Sequence, residues 1–113
     1  MTGEELRAAC LALPNTIETF AFGPGCSVFK VSNGKMFAVS VIDAEPVDVS
    51  VKCDPDRAAD LRRQYDAVVE GYHLNKRHWI TVTANADVPD AMVVELIEDS
   101  YDLVASRQRR QTV

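Results

Sequence analysis

The sequence predicts an α+β fold: a two-layer α/β sandwich whose antiparallel sheet carries helices mainly on one face, in the order α-β-β-β-β-α-β-β-α. Three observations lead there. Two β-rich runs between Val28 and Ile42 flank Asn33-Gly34, the strongest dipeptide signature of a two-residue hairpin. Val47, Val49 and Val51 alternate with Asp48, Ser50 and Lys52, as in a strand with one covered face. Val93, Leu96, Ile97, Ser100, Tyr101 and Val104 recur on one helical stripe, with Glu95, Glu98, Asp99 and Asp102 on the water side.

A length of 113 residues suits one domain with its own core, expected over 1–106, with 107–113 as a frayed C-terminal tail. No apolar run approaches the ~20 residues of a membrane span, and the N-terminus lacks the layout of a secretory signal. Cys10, Cys26 and Cys53 are odd in number and scattered, which suits free thiols in a reducing, cytoplasmic setting. The net charge of -5 argues against gripping nucleic acid through the overall field. The charge is uneven, however: residues 1–22 carry -2, residues 84–113 carry -3, and residues 23–83 balance while holding all four lysines. A basic surface must therefore be local to the middle of the chain.

Each element has its own signal. Thr2 with Glu5 forms a capping box ahead of the stripe Leu6, Ala9, Cys10 and Leu13, and Pro14-Asn15 stops the helix. Thr16 to Phe22 reads as a short strand ended by the turn Gly23-Pro24-Gly25. With Asn33-Gly34 as the loop, Lys30 faces Phe37 and Phe29 faces Ala38. One side of the hairpin then shows Phe29, Val31, Met36 and Ala38, and the other Lys30, Ser32, Lys35 and Phe37. Asp43 to Pro46 turns the chain into the Val47 strand. Asp54-Pro55 opens the second helix, with Ala58, Leu61 and Tyr65 as its thin apolar stripe. Ala67 to Tyr72 and Trp79 to Thr83 are the last strands, with Ile80 and Val82 inward and Trp79, Thr81 and Thr83 outward. Asp87-Val88-Pro89-Asp90 starts the closing helix.

The chemistry concentrates in Gly71-Tyr72-His73-Leu74-Asn75-Lys76-Arg77-His78-Trp79-Ile80, which holds both histidines and the only tryptophan and no carboxylate. No nucleophile motif surrounds a cysteine, so no catalytic residue is expected. His73 and His78 straddle a turn without a third ligand nearby, so neither a metal nor another cofactor is expected. Lys30, Lys35, Phe37, Lys52, Lys76, Arg77 and Trp79, with His73 and Asn75 in the same loop, form a cationic and aromatic set. Cations neutralise phosphates and aromatic faces stack on bases, which is the chemistry of a nucleic-acid surface. The alternatives are that the lysines keep a sheet face soluble, that Phe37 and Trp79 form a homodimer contact, or that Trp79 fills the core.

Val28-Phe29-Lys30-Val31, Gly34-Lys35-Met36-Phe37, Val51-Lys52-Cys53, the Gly71–Trp79 segment, Val88-Pro89-Asp90 and Ser100-Tyr101 resemble, in that order, the MmcQ/YjbR family of small bacterial proteins. The resemblance covers roughly residues 5–105. It implies a helix-first α/β domain of frataxin-like (CyaY-like) topology, commonly labelled DNA-binding, with no catalytic residues to carry over. The expected function is non-enzymatic binding of DNA, modest and salt-sensitive, through the basic and aromatic sheet face. The alternative is a protein–protein module or homodimer on that face, or an acidic-helix contact with a partner or metal by analogy with frataxin.

Overall fold

The computed structural model describes residues 1–71 and 74–111, with side chains described through residue 105. The elements follow the expected order: α1 (Gly3–Leu11), β1 (Ile17–Thr19), β2 (Ser27–Lys30), β3 (Met36–Ser40), β4 (Asp48–Lys52), α2 (Pro55–Gln64), β5 (Val68–Glu70), β6 (Trp79–Thr83) and α3 (Asp90–Gln111). The strands make one antiparallel six-stranded sheet in the order β1-β2-β3-β4-β6-β5. Both edge strands are only three residues long, which leaves little unpaired backbone to recruit another chain. Among the described residues no helix is long and apolar enough to cross a membrane.

The helix starts are built as the sequence predicts. Thr2 Oγ1 accepts from Glu5 N–H at 3.1 Å while Glu5 Oε1 accepts from Thr2 N–H at 2.9 Å. Asp54 Oδ1 accepts from Asp56 N–H at 3.0 Å ahead of Pro55 at the first helical position. Leu6 and Cys10 of α1, Leu61 of α2, and Val93, Leu96, Ile97 and Val104 of α3 bury against Phe29, Val49, Val51, Ile80 and Val82 of the sheet. The helices thus share one face, with α3 lying over β3 and β4. α3 remains helical past residue 106, where its apolar stripe has already ended.

The hairpin departs from the expected register, and the departure relocates an aromatic. Gly34 N–H donates to Val31 O at 2.9 Å and Val31 N–H donates to Lys35 O at 3.0 Å. The loop is therefore Ser32-Asn33-Gly34, and Gly34 at φ 87° is its sole residue of positive φ. Asn33 needs no left-handed backbone because its side chain acts instead: Oδ1 accepts from Lys35 N–H at 2.8 Å and Nδ2 donates to Val104 O at 3.2 Å. Lys30 then pairs with Met36, whereas Phe29 keeps its expected partner Ala38. Phe37 has no opposite residue; it is the extra residue of a β-bulge, and alternation breaks there. Phe37 was expected outward with the lysines. Instead it joins Ala38 in the core, 0% exposed, with its ring edge-on to Tyr101 at 5.4 Å and 89°.

Ser100 answers the bulge from the helix side. Its hydroxyl donates to Phe37 O at 2.6 Å and accepts from Lys52 N–H at 2.8 Å. Two backbone groups on neighbouring strands are satisfied by one fully buried side chain of α3. On α1, Arg7 Nε donates to Glu18 Oε2 at 3.1 Å, and Ser27 Oγ donates to the same oxygen at 2.6 Å, tying the helix to β1 and β2.

Candidate functional site

Strand register defines the sheet face that the helices leave bare. Along β4 it shows Asp48, Ser50 and Lys52, and opposite them along β6 stand Thr83, Thr81 and Trp79. Val39 of β3 is opposite both Ser50 and Val28, and Lys30 of β2 is opposite Ile17 and Met36. Lys30 and Lys52 are the last residues of their strands, while Met36 and Trp79 are the first of theirs. In an antiparallel sheet those ends coincide. The same end carries the hairpin loop with Lys35 and the turn before β6 with Lys76 and Arg77. Among the described residues none of these five cations enters an ion pair; the pairs present use the N-terminus, Arg7, Arg57 and Arg63.

The Gly71–Trp79 segment is organised by local hydrogen bonds and close packing. Asn75 Oδ1 accepts from Arg77 N–H at 2.9 Å and from His78 N–H at 3.2 Å, an Asx turn that holds Lys76 and Arg77 out to solvent. Gly71 falls at the end of the expected Ala67–Tyr72 strand. It continues the ladder beside Trp79, donating its N–H to Trp79 O at 2.9 Å. A Cβ there would stand 2.6 Å from Trp79 Cβ, so the residue is glycine for close approach. Trp79 faces away from the helices yet is only 7% exposed. His78 is exposed, and His73 lies outside the described residues. Lys30, Lys52, Lys76 and Arg77 therefore lie at one end of the bare face, whereas Lys35, expected on the same side as Lys30, stands opposite the buried Val31 and so on the helix side of the hairpin. The stacking pair is not brought together: Phe37 is in the core and Trp79 is buried.

The bare face also holds a cavity of about 410 Å³ that the sequence did not reveal. Val39, Ser50 and Thr81 line it from the sheet, with Ser50 Oγ and Thr81 Oγ1 hydrogen-bonded at 2.7 Å. Phe22, Cys26 and Leu74 line it from the flanking loops, and Val41 and Asp48 complete it. Ser40 Oγ donates to the backbone O of Asp48 at 2.6 Å, fixing the strand there. Burial raises the pKa of the Asp48 carboxyl from its ordinary value. The alternation along β4 did place Asp48 and Ser50 outward. That the loops around Phe22 and Leu74 rise beside them is a tertiary fact with no local signal.

The thiols and the acidic helix offer little chemistry. Burial, reinforced by the charge of Glu18, pushes Cys10 up to about 12, and burial also raises Cys53. Glu95 and Asp99 of α3 both pair with Arg57 of α2, so these two carboxylates of the expected acidic face are engaged within the fold. Among the described residues no three metal-ligating side chains cluster.

A family model described as YjbR matches residues 11–103, most of the chain. The chain belongs to the YjbR family. It is 34% identical over 101 residues to the uncharacterized protein YbdF of Escherichia coli O157:H7, covering 89% of this chain and 82% of that one. It is 33% identical over 101 residues to the uncharacterized protein YjbR of Escherichia coli K12, covering 89% and 85%. The crystal structure of Deinococcus radiodurans protein DR2400, with its DUF419 domain, superposes with a TM-score of 0.86 at 42% identity, over 92% of this chain and 78% of that one. A Pseudomonas syringae protein superposes with a TM-score of 0.77 at 26% identity, over 91% and 98%. The YjbR fold and the expected membership agree, and neither relative's name states a ligand.

Proposed function

We propose that this YjbR domain is a non-enzymatic binding module for nucleic acid, DNA in the first instance, held by its phosphates at the cationic end of the sheet. The observation that carries the reading is the gathering of Lys30, Lys35, Lys52, Lys76 and Arg77 at one end, without ion pairs among the described residues, in a chain of net charge -5. Unpaired cations kept together against an acidic background favour a polyanion locally. Asn75 adds pre-organisation, since Lys76 and Arg77 sit in a turn already bonded in the free protein. With Phe37 and Trp79 buried, the contact is to backbone and not to stacked bases, so it carries little sequence preference. The three free thiols suit the cytoplasm, where such a target is available.

Fluorescence anisotropy with labelled duplex DNA tests this. Binding is expected at about 10⁻⁴–10⁻⁶ M near physiological salt, tightening steeply as salt falls. Lys52→Gln and Arg77→Gln should each lower the slope of log affinity against log salt by about 1. Absence of binding at low salt, or variants indistinguishable from the parent, sinks the reading. A protein–protein contact is favoured by a different observation, the exposure of Phe20, Phe22 and Val69 at about half of each side chain. Light scattering distinguishes it, because self-association through these residues is lost in Phe20→Ser while DNA binding is retained.

A further inference from the structure

We propose that the cavity on the bare sheet face is a second, separate binding site, for a small apolar molecule carrying a cationic amine, with its hydrocarbon body on Val39, Val41 and Phe22 and its ammonium on Asp48. The size fits: about 410 Å³ falls in the lower part of the ~300–1,000 Å³ range of small-molecule pockets. The walls are apolar side chains, and Phe22 and Val41 are 57% and 45% exposed, so the mouth is open and apolar. Such a surface gains by accepting hydrocarbon.

The sign of the ligand follows from the polar groups. Asp48 is half-buried on the cavity wall, and among the described residues its carboxylate has neither an ion pair nor a hydrogen bond. A desolvated carboxylate without a partner is a standing demand for a cation, which an ammonium group meets. Ser50 and Thr81 already bond to each other, so the floor makes no competing demand of that kind. The nearest cation along the same strand face is Lys52, four residues from Asp48 and therefore ~13 Å away at about 3.3 Å per residue. An anionic ligand would meet the unpaired carboxylate without a lysine to balance it. The bare face is thus polarised along β4, with phosphate-binding chemistry at Lys52 and amine-binding chemistry at Asp48. The cavity site does not depend on the nucleic-acid reading.

The test is calorimetric titration of the full chain with naphthylmethylamine, naphthylmethanol and naphthoic acid at neutral pH. The amine should bind about tenfold or more tightly than the alcohol, the gain expected of a charge-assisted contact, and the acid most weakly. Asp48→Asn should bring the amine down to the alcohol's affinity and leave the alcohol unchanged, with no loss of thermal stability. Val41→Arg, at an exposed position on the rim, should abolish amine binding by placing a guanidinium in the ammonium's position. Equal binding of the three compounds, preference for the acid, an unchanged amine preference in Asp48→Asn, or no amine binding at millimolar concentration each overturns the proposal.

Discussion

A hydroxyl in the middle of a buried helical stripe is costly unless its hydrogen-bonding capacity is used, and Ser100 uses it twice, on Phe37 O and Lys52 N–H. Ser100→Ala leaves both backbone groups without that partner. Denaturant titration should show a loss of about 2 kcal/mol, and a loss below about 0.5 kcal/mol would mean water replaces the hydroxyl easily. The spacing of α3 put Ser100 on the stripe but gave no reason for a serine there. That reason lies in a strand irregularity more than sixty positions away in the chain. Cys10 carries a pH consequence of the same local kind. Its thiol is raised from an ordinary 9.0 to about 12, so the neutral form is favoured in the fold. The associated stability is whole below about pH 9 and is lost as pH rises toward 12. At about pH 10 the loss should be about 1.4 kcal/mol, and Cys10→Ala should lack it, while Cys53 contributes in the same direction in both proteins. Parallel stability curves for the two proteins between neutral and alkaline pH would contradict the assignment.

Elements were more legible than their details. Asn33-Gly34 located the hairpin and the pair Phe29–Ala38 correctly, and the capping residues located α1 and α2. The hairpin loop is one residue longer than expected because Asn33 bonds to α3, and the bulge at Phe37 restores the register beyond it. A period-two pattern cannot announce such a break, because Phe37 is as compatible with an outward aromatic as with a core one. The turn before β6 shows the opposite case, where a single residue, Asn75, explains an element. Asn75→Ala removes two acceptor contacts from Arg77 and His78 N–H groups. The expected result is about 1 kcal/mol of lost stability. DNA affinity should fall as well, although no cation has been altered. Unchanged affinity in a variant with faster amide exchange across 76–78 would show that pre-organisation of the turn is irrelevant to binding.

At the scale of the molecule, the order of elements and the single helix-bearing face could both be read from the chain, whereas the hairpin register that turns Lys35 to the side of Val31 could not. Period-two and helical patterning determine the first two features through burial. The cavity could not be read, because Phe22, Val39 and Leu74 meet only after the whole sheet has formed. Charge segregation across an acidic protein predicts a behaviour that its net charge does not. The parent chain should be retained on a heparin column at low salt, and Lys52→Glu/Arg77→Glu should flow through. Flow-through of the parent would mean that the acidic termini outweigh the cationic end. The short borders of the sheet have one more implication. Among the described residues the marginal strands offer a polypeptide only Ile17–Thr19 and Val68–Glu70 to extend, short runs for a stable sideways addition. The expected approach for a ligand is thus from above the uncovered pleats or along their lysine-bearing brink, with edge-on strand addition disfavoured.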